Sequence, residues 1–566
     1  MTMTTMNGAE ALVRMLQLNG VKHIFGLCGD TSLPFYDALA RLDHGIDHIL
    51  TRDERSAAYM ADAYARVTGK PGVCEGPSGG GATYLLPGLV EANESSIPVL
   101  GITSDVSVGA RGKFPLTELD QQALYAPLTK WNTRIDRVDQ IPHAVRSAFR
   151  AMTTGRPGAT HIALPYDLQK QEIDPAEVWA QPGHDAYPAY RFAPDPYEVE
   201  RAAQLLVAAR APVIVCGGGV VIANAMGELD VLATMLNAPV CTSVSGNGSL
   251  PTSHPLLAGT IGTNGGVEAT RQVIAQADLV LFIGARAGST TTEHWKMPAR
   301  DVTILHLDVD PMTIATNYRT DVALVGDAKL GLAAIGAAVQ ERIAHRPANA
   351  IDGRAVVAKA RRTKHEFFAR LAESTDRPVK PERVVDALNK LLPARSIVVA
   401  DPGTPCPYFA AYFDAPQAGR HFITNRAHGA LGFSMSAGVG ASFGQPDATV
   451  VAVMGDGSFG FTCGEMETIV RRGVPLKMIV FSNSEYGWIK ASQKTGYGGR
   501  YFSVDFDRTD HARVAQAFGV KAWRVEDPAD VHGAIKAALA HDGPALVDVI
   551  SQPLQDTAVP VSQWMG

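Results

Sequence analysis

Residues 454–485 read "MGDGSFGFTCGEMETIVRRGVPLKMIVFSNSE". The run "VVAVM" (450–454) that leads into it is apolar and β-branched, which predicts a buried parallel strand stopping at Gly455-Asp456-Gly457-Ser458. A helical stretch follows, a second apolar strand runs to Phe481, and Asn483 stands just past its end. In open parallel sheets, ligands bind beyond the carboxyl ends of the strands, where helix N-termini direct partial positive charge outward. Gly455 and Gly457 let a ligand approach the backbone, and the Ser458 hydroxyl can donate to a phosphate oxygen. Asp456 is a hard oxygen donor, and Asn483 follows 27 residues later with one helix and one strand between. A carboxylate, an amide oxygen and a backbone carbonyl suit a Mg2+ that also takes phosphate oxygens.

The same alternation of Val/Ile-rich runs with Ala/Leu-rich amphipathic stretches extends through all 566 residues, so the expected fold class is α/β, with three doubly wound parallel-sheet domains. Their expected bounds are 1–173, 198–342 and 375–566. Prolines 175, 182, 188, 194 and 196 make Asp174 to Tyr197 an extended linker, and "AHRPANAIDG" (344–353) is a second connection leading into a helix. The first and third domains share a plan. "ALVRMLQLNGVKHIFGLCGDTSLPFYDAL" (11–39) and "RVVDALNKLLPARSIVVADPGTPCPYFAAY" (383–412) both read helix, strand, Gly-containing turn, helix.

Composition narrows the function. With 46% hydrophobic and 19% charged residues the chain has material for several cores. A net charge of -6 provides no basic field for nucleic acid or an anionic membrane, so an anionic ligand needs a local site. The six cysteines are scattered without a C-x-x-C pair, which fits a reducing compartment. "MTMTTMNGAEALVRML" has neither a basic start nor an apolar core, and no apolar run reaches the ~18 residues of a membrane helix, so the expected location is the cytoplasm.

"GDGSF" and "FSNSEYG" together resemble the thiamine-diphosphate motif, and nearly the whole chain is similar to the acetolactate-synthase-like group of thiamine-diphosphate enzymes. That resemblance implies pyrimidine-binding, central and diphosphate-binding domains. It implies that Asp456, Asn483 and the main-chain carbonyl of Glu485 hold Mg2+ against the diphosphate, with Gly455, Gly457, Ser458, Tyr486 and Gly487 around the cofactor. Ser482 takes the place of the first Asn of the usual pair. Gly403 and Thr404 in "DPGTPC" approach the diphosphate, and "RAHGALGFSMSAGVGA" (426–441) contributes Gly429 and places Leu431 under the cofactor rings. "ILTRDERSAAYMADAYARVTGKPGV" (49–73) resembles the stretch with the catalytic glutamate, here Glu54, which bonds N1′ of the aminopyrimidine and so promotes formation of the thiazolium ylid. "GPSGGGATYLLPG" (76–88) resembles the glycine loop that faces the cofactor.

The resemblance also implies the reaction: a lyase or carboligase that acts beside a carbonyl through the ylid and an enamine. In "GKFPLTELDQ" (112–121), Thr117 stands where acetolactate synthases have Gln, while Glu118 matches their Glu. Glu485 adds a titratable side chain beside the reaction centre and is a second catalytic candidate. Donors on this reading are a 2-oxo acid or a 2-hydroxyacyl- or acyl-CoA. The alternatives are a 2-hydroxyacyl-CoA lyase or oxalyl-CoA decarboxylase type yielding formyl-CoA, and a non-catalytic nucleotide- or flavin-binding homologue. In the central domain "VCGGGVV" (215–221) is an incomplete dinucleotide fingerprint, and family members hold FAD, ADP or nothing there. A homodimer or homotetramer with the active site between chains is expected, with neither nucleic acid nor membrane as a partner.

Overall fold

Short runs of Val, Ile and Leu flanked by amphipathic helices assemble into three six-stranded sheets in the computed structural model, which describes residues 5–557. A two-stranded antiparallel ribbon of β1 (Met6–Asn7) and β8 (Glu172–Ile173) closes the first domain. Between them lie β2 (His23–Gly26), β3 (Asp47–Leu50), β4 (Gly72–Gly76), β5 (Val99–Asp105), β6 (Trp131–Arg134) and β7 (Thr160–Pro165), in sheet order 3-2-4-5-7-6. The central sheet comprises β9 (Pro212–Cys216), β10 (Val240–Thr242), β11 (Leu257–Thr260), β12 (Leu279–Ile283), β13 (Thr303–Asp308) and β14 (Val322–Val325), ordered 11-10-9-12-13-14. The third has β15 (Ser396–Ala400), β16 (Phe422–Thr424), β17 (Thr449–Gly455), β18 (Lys477–Ser482), β19 (Lys521–Val525) and β20 (Ala545–Ile550), ordered 16-15-17-18-20-19.

Every pairing within these three sheets is parallel, which bears out the α/β class. The first and third sheets have the same order when each is counted from its own first strand, and the central sheet does not. The shared helix–strand–helix plan is present as Gly8–Leu18, β2 and Leu33–Arg41, and again as Pro381–Leu391, β15 and Pro405–Tyr412. In both sheets the strand order reverses beside the first strand, so a crevice opens past the ends of β2 and β4 in one and of β15 and β17 in the other.

Packing resolves the chain into two compact units. The first runs to Tyr190 and includes 425–447 and 462–474; the second holds 191–424, 448–461 and the residues from Pro475 onward. At the centre of the first unit is the helix Glu54–Thr68, buried over most of its length, with Asp53 as its N-cap and left-handed Gly69 at its end. It packs on the helix Phe433–Gly444, whose Gly440 lies so close to the Met60 carbonyl that a Cβ would not fit. Its buried Arg66 bonds Asp62 at 2.7 Å and Glu91 at 3.2 Å, and Glu91 also accepts from the His428 amide at 2.7 Å. The linker ends earlier than the prolines imply. Pro196 and Tyr197 open the helix Pro196–Ala208, because proline at the first helical position forfeits no hydrogen bond. Among the described residues no helix is long and apolar enough to cross a membrane, and all six cysteines are free.

Candidate functional site

Two groups of the expected residues take shape, one in each unit. In the second unit β17 ends at Gly455 and the chain turns directly into the helix Asp456–Thr462. Asp456 is 5% exposed. Its Oδ2 accepts the Asn483 amide at 2.8 Å and the Ser484 amide at 2.6 Å, while Oδ1 accepts from Gly457 at 2.9 Å. Burial pushes the Asp456 carboxyl up, and these three amides pull it back toward the ionised form. β18 continues one residue beyond the expected Phe481, to Ser482, and the turn after it takes Ser484 to φ +60°. A left-handed serine costs on the order of 1–3 kcal/mol and persists only where its surroundings fix it. Here Asp456 holds the turn from one side, and 504–506 holds it from the other through Tyr486 N to Val504 O (2.8 Å) and Phe506 N to Ser484 O (3.0 Å).

The remaining donors converge on this turn. A Cβ on Gly487 would lie 3.1 Å from Thr404 Oγ1 and 3.4 Å from Asn483 Nδ2, so Thr404, Asn483 and the start of the helix Gly487–Gly496 meet at one point. A Cβ on Gly457 would come within 2.8 Å of the Tyr486 ring, so a larger residue there would have to displace that ring. Gly403 and Gly455 face open space, and Ser458, three residues after Gly455, is buried. Asn483 Oδ1 is buried without a hydrogen-bond partner. An orphaned acceptor costs about 1–3 kcal/mol, and a cation between it and Asp456 would remove that cost. Among the described residues no three His, Cys, Asp or Glu side chains cluster to hold a metal, so an ion here needs amide, carbonyl and phosphate oxygens to complete its shell. The residues fit Mg2+ with a diphosphate.

Glu485, the second catalytic candidate, is held by charged and polar partners. Its carboxylate is 4% exposed, and Oε2 pairs with Lys490 Nζ at 2.8 Å and accepts from Gln555 Nε2 at 2.9 Å. Oε1 is buried with no partner. Lys490 also bonds Asp505, at 2.5 Å. Gln555 is not visible as a partner in the sequence, because it is 70 residues away and reaches Glu485 only through the fold.

The first unit holds the other group. Glu54 is the first residue of its helix, 6% exposed, and burial pushes its carboxyl up, with the nearby charges of Asp53 and Glu75 adding to that. A Cβ on Gly81 would meet Glu54 Oε1 at 3.0 Å and one on Gly76 would meet its Cγ at 3.2 Å, so the end of β4 and the glycine stretch after it line this carboxyl. Glu75 accepts from Tyr36 and lies 3.3 Å from His48 Nε2. Past the ends of β2 and β4, Thr31 Oγ1 bonds Ser78 Oγ at 2.9 Å and Ser104 Oγ at 2.7 Å, and Ser78 Oγ bonds Thr117 Oγ1 at 2.7 Å. Thr117, at the Gln position of the related stretch, has φ +70°, and Glu118 accepts from the Gly112 amide at 2.6 Å. Gly429 and half-buried Leu431 belong to this unit, on a loop held by Glu91 through His428 and by Asn425 Nδ2 to Ala430 O at 2.6 Å.

In the central domain Gly217 and Gly219 of "VCGGGVV" serve packing. A Cβ on Gly219 would come within 2.6 Å of Gly284 Cα, and one on Gly217 within 2.6 Å of Ala285 Cα.

Three family models match the chain: the N-terminal TPP binding domain of thiamine pyrophosphate enzymes over residues 6–124, their central domain over 199–335, and their C-terminal TPP binding domain over 401–549. The chain is 34% identical to a probable acetolactate synthase large subunit of Methanocaldococcus jannaschii, covering 97% of this chain and 93% of that one. It is 32% identical to the acetolactate synthase isozyme 2 large subunit of Escherichia coli K12, with 97% and 96% covered, and 32% identical to an acetolactate synthase of Mycobacterium bovis, with 96% and 88% covered. Nothing in these matches supports the CoA-lyase or the non-catalytic alternative.

Proposed function

The chain belongs to the acetolactate synthase-like thiamine pyrophosphate enzymes, and from that premise we propose that it joins two molecules of pyruvate with loss of CO2. It is a thiamine-diphosphate-dependent carboligase that forms C–C bonds and takes a 2-oxo acid as substrate. The names of the relatives support pyruvate as donor and acceptor, since acetolactate contains both acyl units. Two pyruvate anions and one proton become one acetolactate anion and one CO2.

Bound thiamine diphosphate supplies a nucleophilic carbon that adds to the donor carbonyl and takes up the electron pair left by departing CO2. Asp456, Asn483 Oδ1 and the Glu485 carbonyl hold Mg2+, while Gly403, Thr404, Gly455, Gly457, Ser458, Tyr486 and Gly487 surround the diphosphate. Glu54 holds a proton at N1′ of the aminopyrimidine, a role supported by a buried carboxyl inclined to keep its proton. Gly429 and Leu431 bear on the rings. Glu485 presents Oε1 as an acceptor for the substrate, supported by the fixation of Oε2 on Lys490 and Gln555. FAD or ADP in the central domain would lie elsewhere than between Gly217, Gly219 and Gly284, where backbone fills the space.

The active site forms between two copies of the chain, in a homodimer or homotetramer. Support for a second copy comes from Phe114 and Leu116, 96% and 88% exposed on the loop that carries Thr117. The cytoplasm is the location that the absence of disulfides supports.

The observation that carries this reading is the buried, unpartnered Oδ1 of Asn483, the residue whose backbone amide is bonded to Asp456. With Mg2+ and thiamine diphosphate, carbon-13 NMR should show pyruvate converted to acetolactate and CO2. Asp456→Ala should stay folded yet hold no cofactor by calorimetry. Inert pyruvate together with cleavage of 2-hydroxyacyl-CoA thioesters would overturn the substrate, and full cofactor occupancy in Asp456→Ala would overturn the metal ligands.

A further inference from the structure

We propose that Ser482, Asp548 and His511 form a buried brace that positions the metal-holding turn and sets the affinity of this chain for its divalent cation. The inference rests on the reading of Asp456 and Asn483 as Mg2+ ligands. All three brace residues are buried, at 5%, 0% and 6% exposure, and none takes part in the chemistry described above.

Asp548 on β20 stands opposite Val480 on β18, so Ser482, two residues further along the same face, is its diagonal neighbour. The Ser482 hydroxyl donates to Asp548 Oδ1 at 2.5 Å. Its single proton is then used, and the 2.9 Å contact with His511 Nδ1 must be an N–H donated by the imidazole. Asp548 Oδ2 accepts from the His511 amide at 3.2 Å and from Arg524 Nη1 at 3.5 Å. Each donor of this set meets an acceptor, which a buried carboxylate requires.

The brace touches both halves of the cation site. Ser482 is the last residue of β18, and the next two amides, of Asn483 and Ser484, are the ones bonded to Asp456 Oδ2. The His511 ring packs edge-on against Phe459, with centroids 5.0 Å apart, on the helix that Asp456 begins. The left-handed turn at Ser484 is therefore fixed from the front by Asp456 and from behind by Ser482. Serine stands here in place of the first Asn of the usual pair, and its hydroxyl meets the imidazole at 2.9 Å.

Partners that orient metal ligands from outside the coordination shell typically alter metal affinity by about 10–100-fold. The test is a Mg2+ titration at fixed thiamine diphosphate, followed by tryptophan fluorescence, alongside the melting temperature of each metal-free protein. Ser482→Ala should raise the half-saturating Mg2+ by roughly tenfold, and Ser482→Thr, which keeps the hydroxyl, should restore most of it. A brace that served the sheet alone would lower the melting temperature and leave the Mg2+ midpoint at the wild-type value, and that result overturns the proposal. Should Ser482→Ala not fold, His511→Gln is read in the same way, since it removes the imidazole from Phe459 and leaves Asp548 its serine donor. Asp456→Ala is the control: wild-type Mg2+ binding in that protein sinks the ligand assignment itself, whereas loss of binding there with an unshifted Ser482→Ala midpoint sinks only the brace.

Discussion

Glu54 and Glu485 are both buried glutamates that the sequence marks as catalytic candidates, yet their surroundings give them opposite characters. Glu54 has a lining of glycines, and burial, Asp53 and Glu75 all favour its protonated form. Glu485 is clamped in an ion pair with Lys490 and accepts from Gln555. The proposed function accordingly gives the proton at N1′ to the first alone. Glu54→Gln should therefore bind thiamine diphosphate but slow deuterium exchange of its C2 proton by about 10²–10⁴-fold, the usual contribution of a general acid–base group. Glu485→Ala should leave that exchange at the wild-type rate, because its carbonyl survives the substitution, and should lower turnover, because the Oε1 acceptor is lost. NMR of the exchange distinguishes them without any substrate. An unchanged rate in Glu54→Gln would make Glu54 a helix-start residue, and unaltered turnover in Glu485→Ala would return that side chain to a structural role. The resemblance to the thiamine-diphosphate enzymes, carried by the stretches around Glu54 and Asn483, made both glutamates legible. Gln555 and the hydroxyls of Thr31, Ser78 and Ser104 were not, because folding alone brings them together.

At the scale of elements, the strands were the most legible feature, since a parallel strand covered on both faces must be apolar throughout. Their order in the sheets was not, because it depends on which crossovers pack. Glu382 is another feature that sequence hides. It lies in the first turn of the helix Pro381–Leu391, where the helix dipole favours a carboxylate, so it reads as an ordinary capping charge. Instead it is 3% exposed, and burial pushes it from its ordinary 4.5 up to about 7. Between those values the unfolded chain has released the proton and the folded chain has not, so stability falls as pH rises through the window. The displacement corresponds to about 3 kcal/mol once the folded carboxyl is ionised. Glu382→Gln should raise the thermal midpoint near pH 8 and bring no gain at about pH 4, where both states are protonated. Glu465, also pushed up to about 7 by burial, keeps a smaller slope of the same sign in the variant. A variant destabilised equally at both pH values would show that the amide cannot replace the carboxyl, and would remove Glu382 as the source of the slope.

For the whole molecule, the informative fact is the repetition of one strand order in the first and third sheets. Each copy keeps its own crevice, and each is furnished differently: Glu54 belongs to the first domain, Asp456 and Asn483 to the third. A reaction that needs both sets draws them together, and the proposed homo-oligomer draws them from different chains. In a symmetric dimer of that kind, a chain carrying Glu54→Gln and a chain carrying Asp456→Ala make one site with both lesions and one with neither. Each variant alone should be inactive. Coexpressed in equal amounts and assembled at random, half of the dimers are mixed and half of their sites are intact, so activity should return to about a quarter of wild type. Purifying the mixed species through two different tags should raise it to about half. If each chain instead completed its site from its own two domains, every site would carry a lesion and no mixture would turn over substrate. Turnover per intact site, measured against the fraction of mixed dimer, decides between the two assemblies.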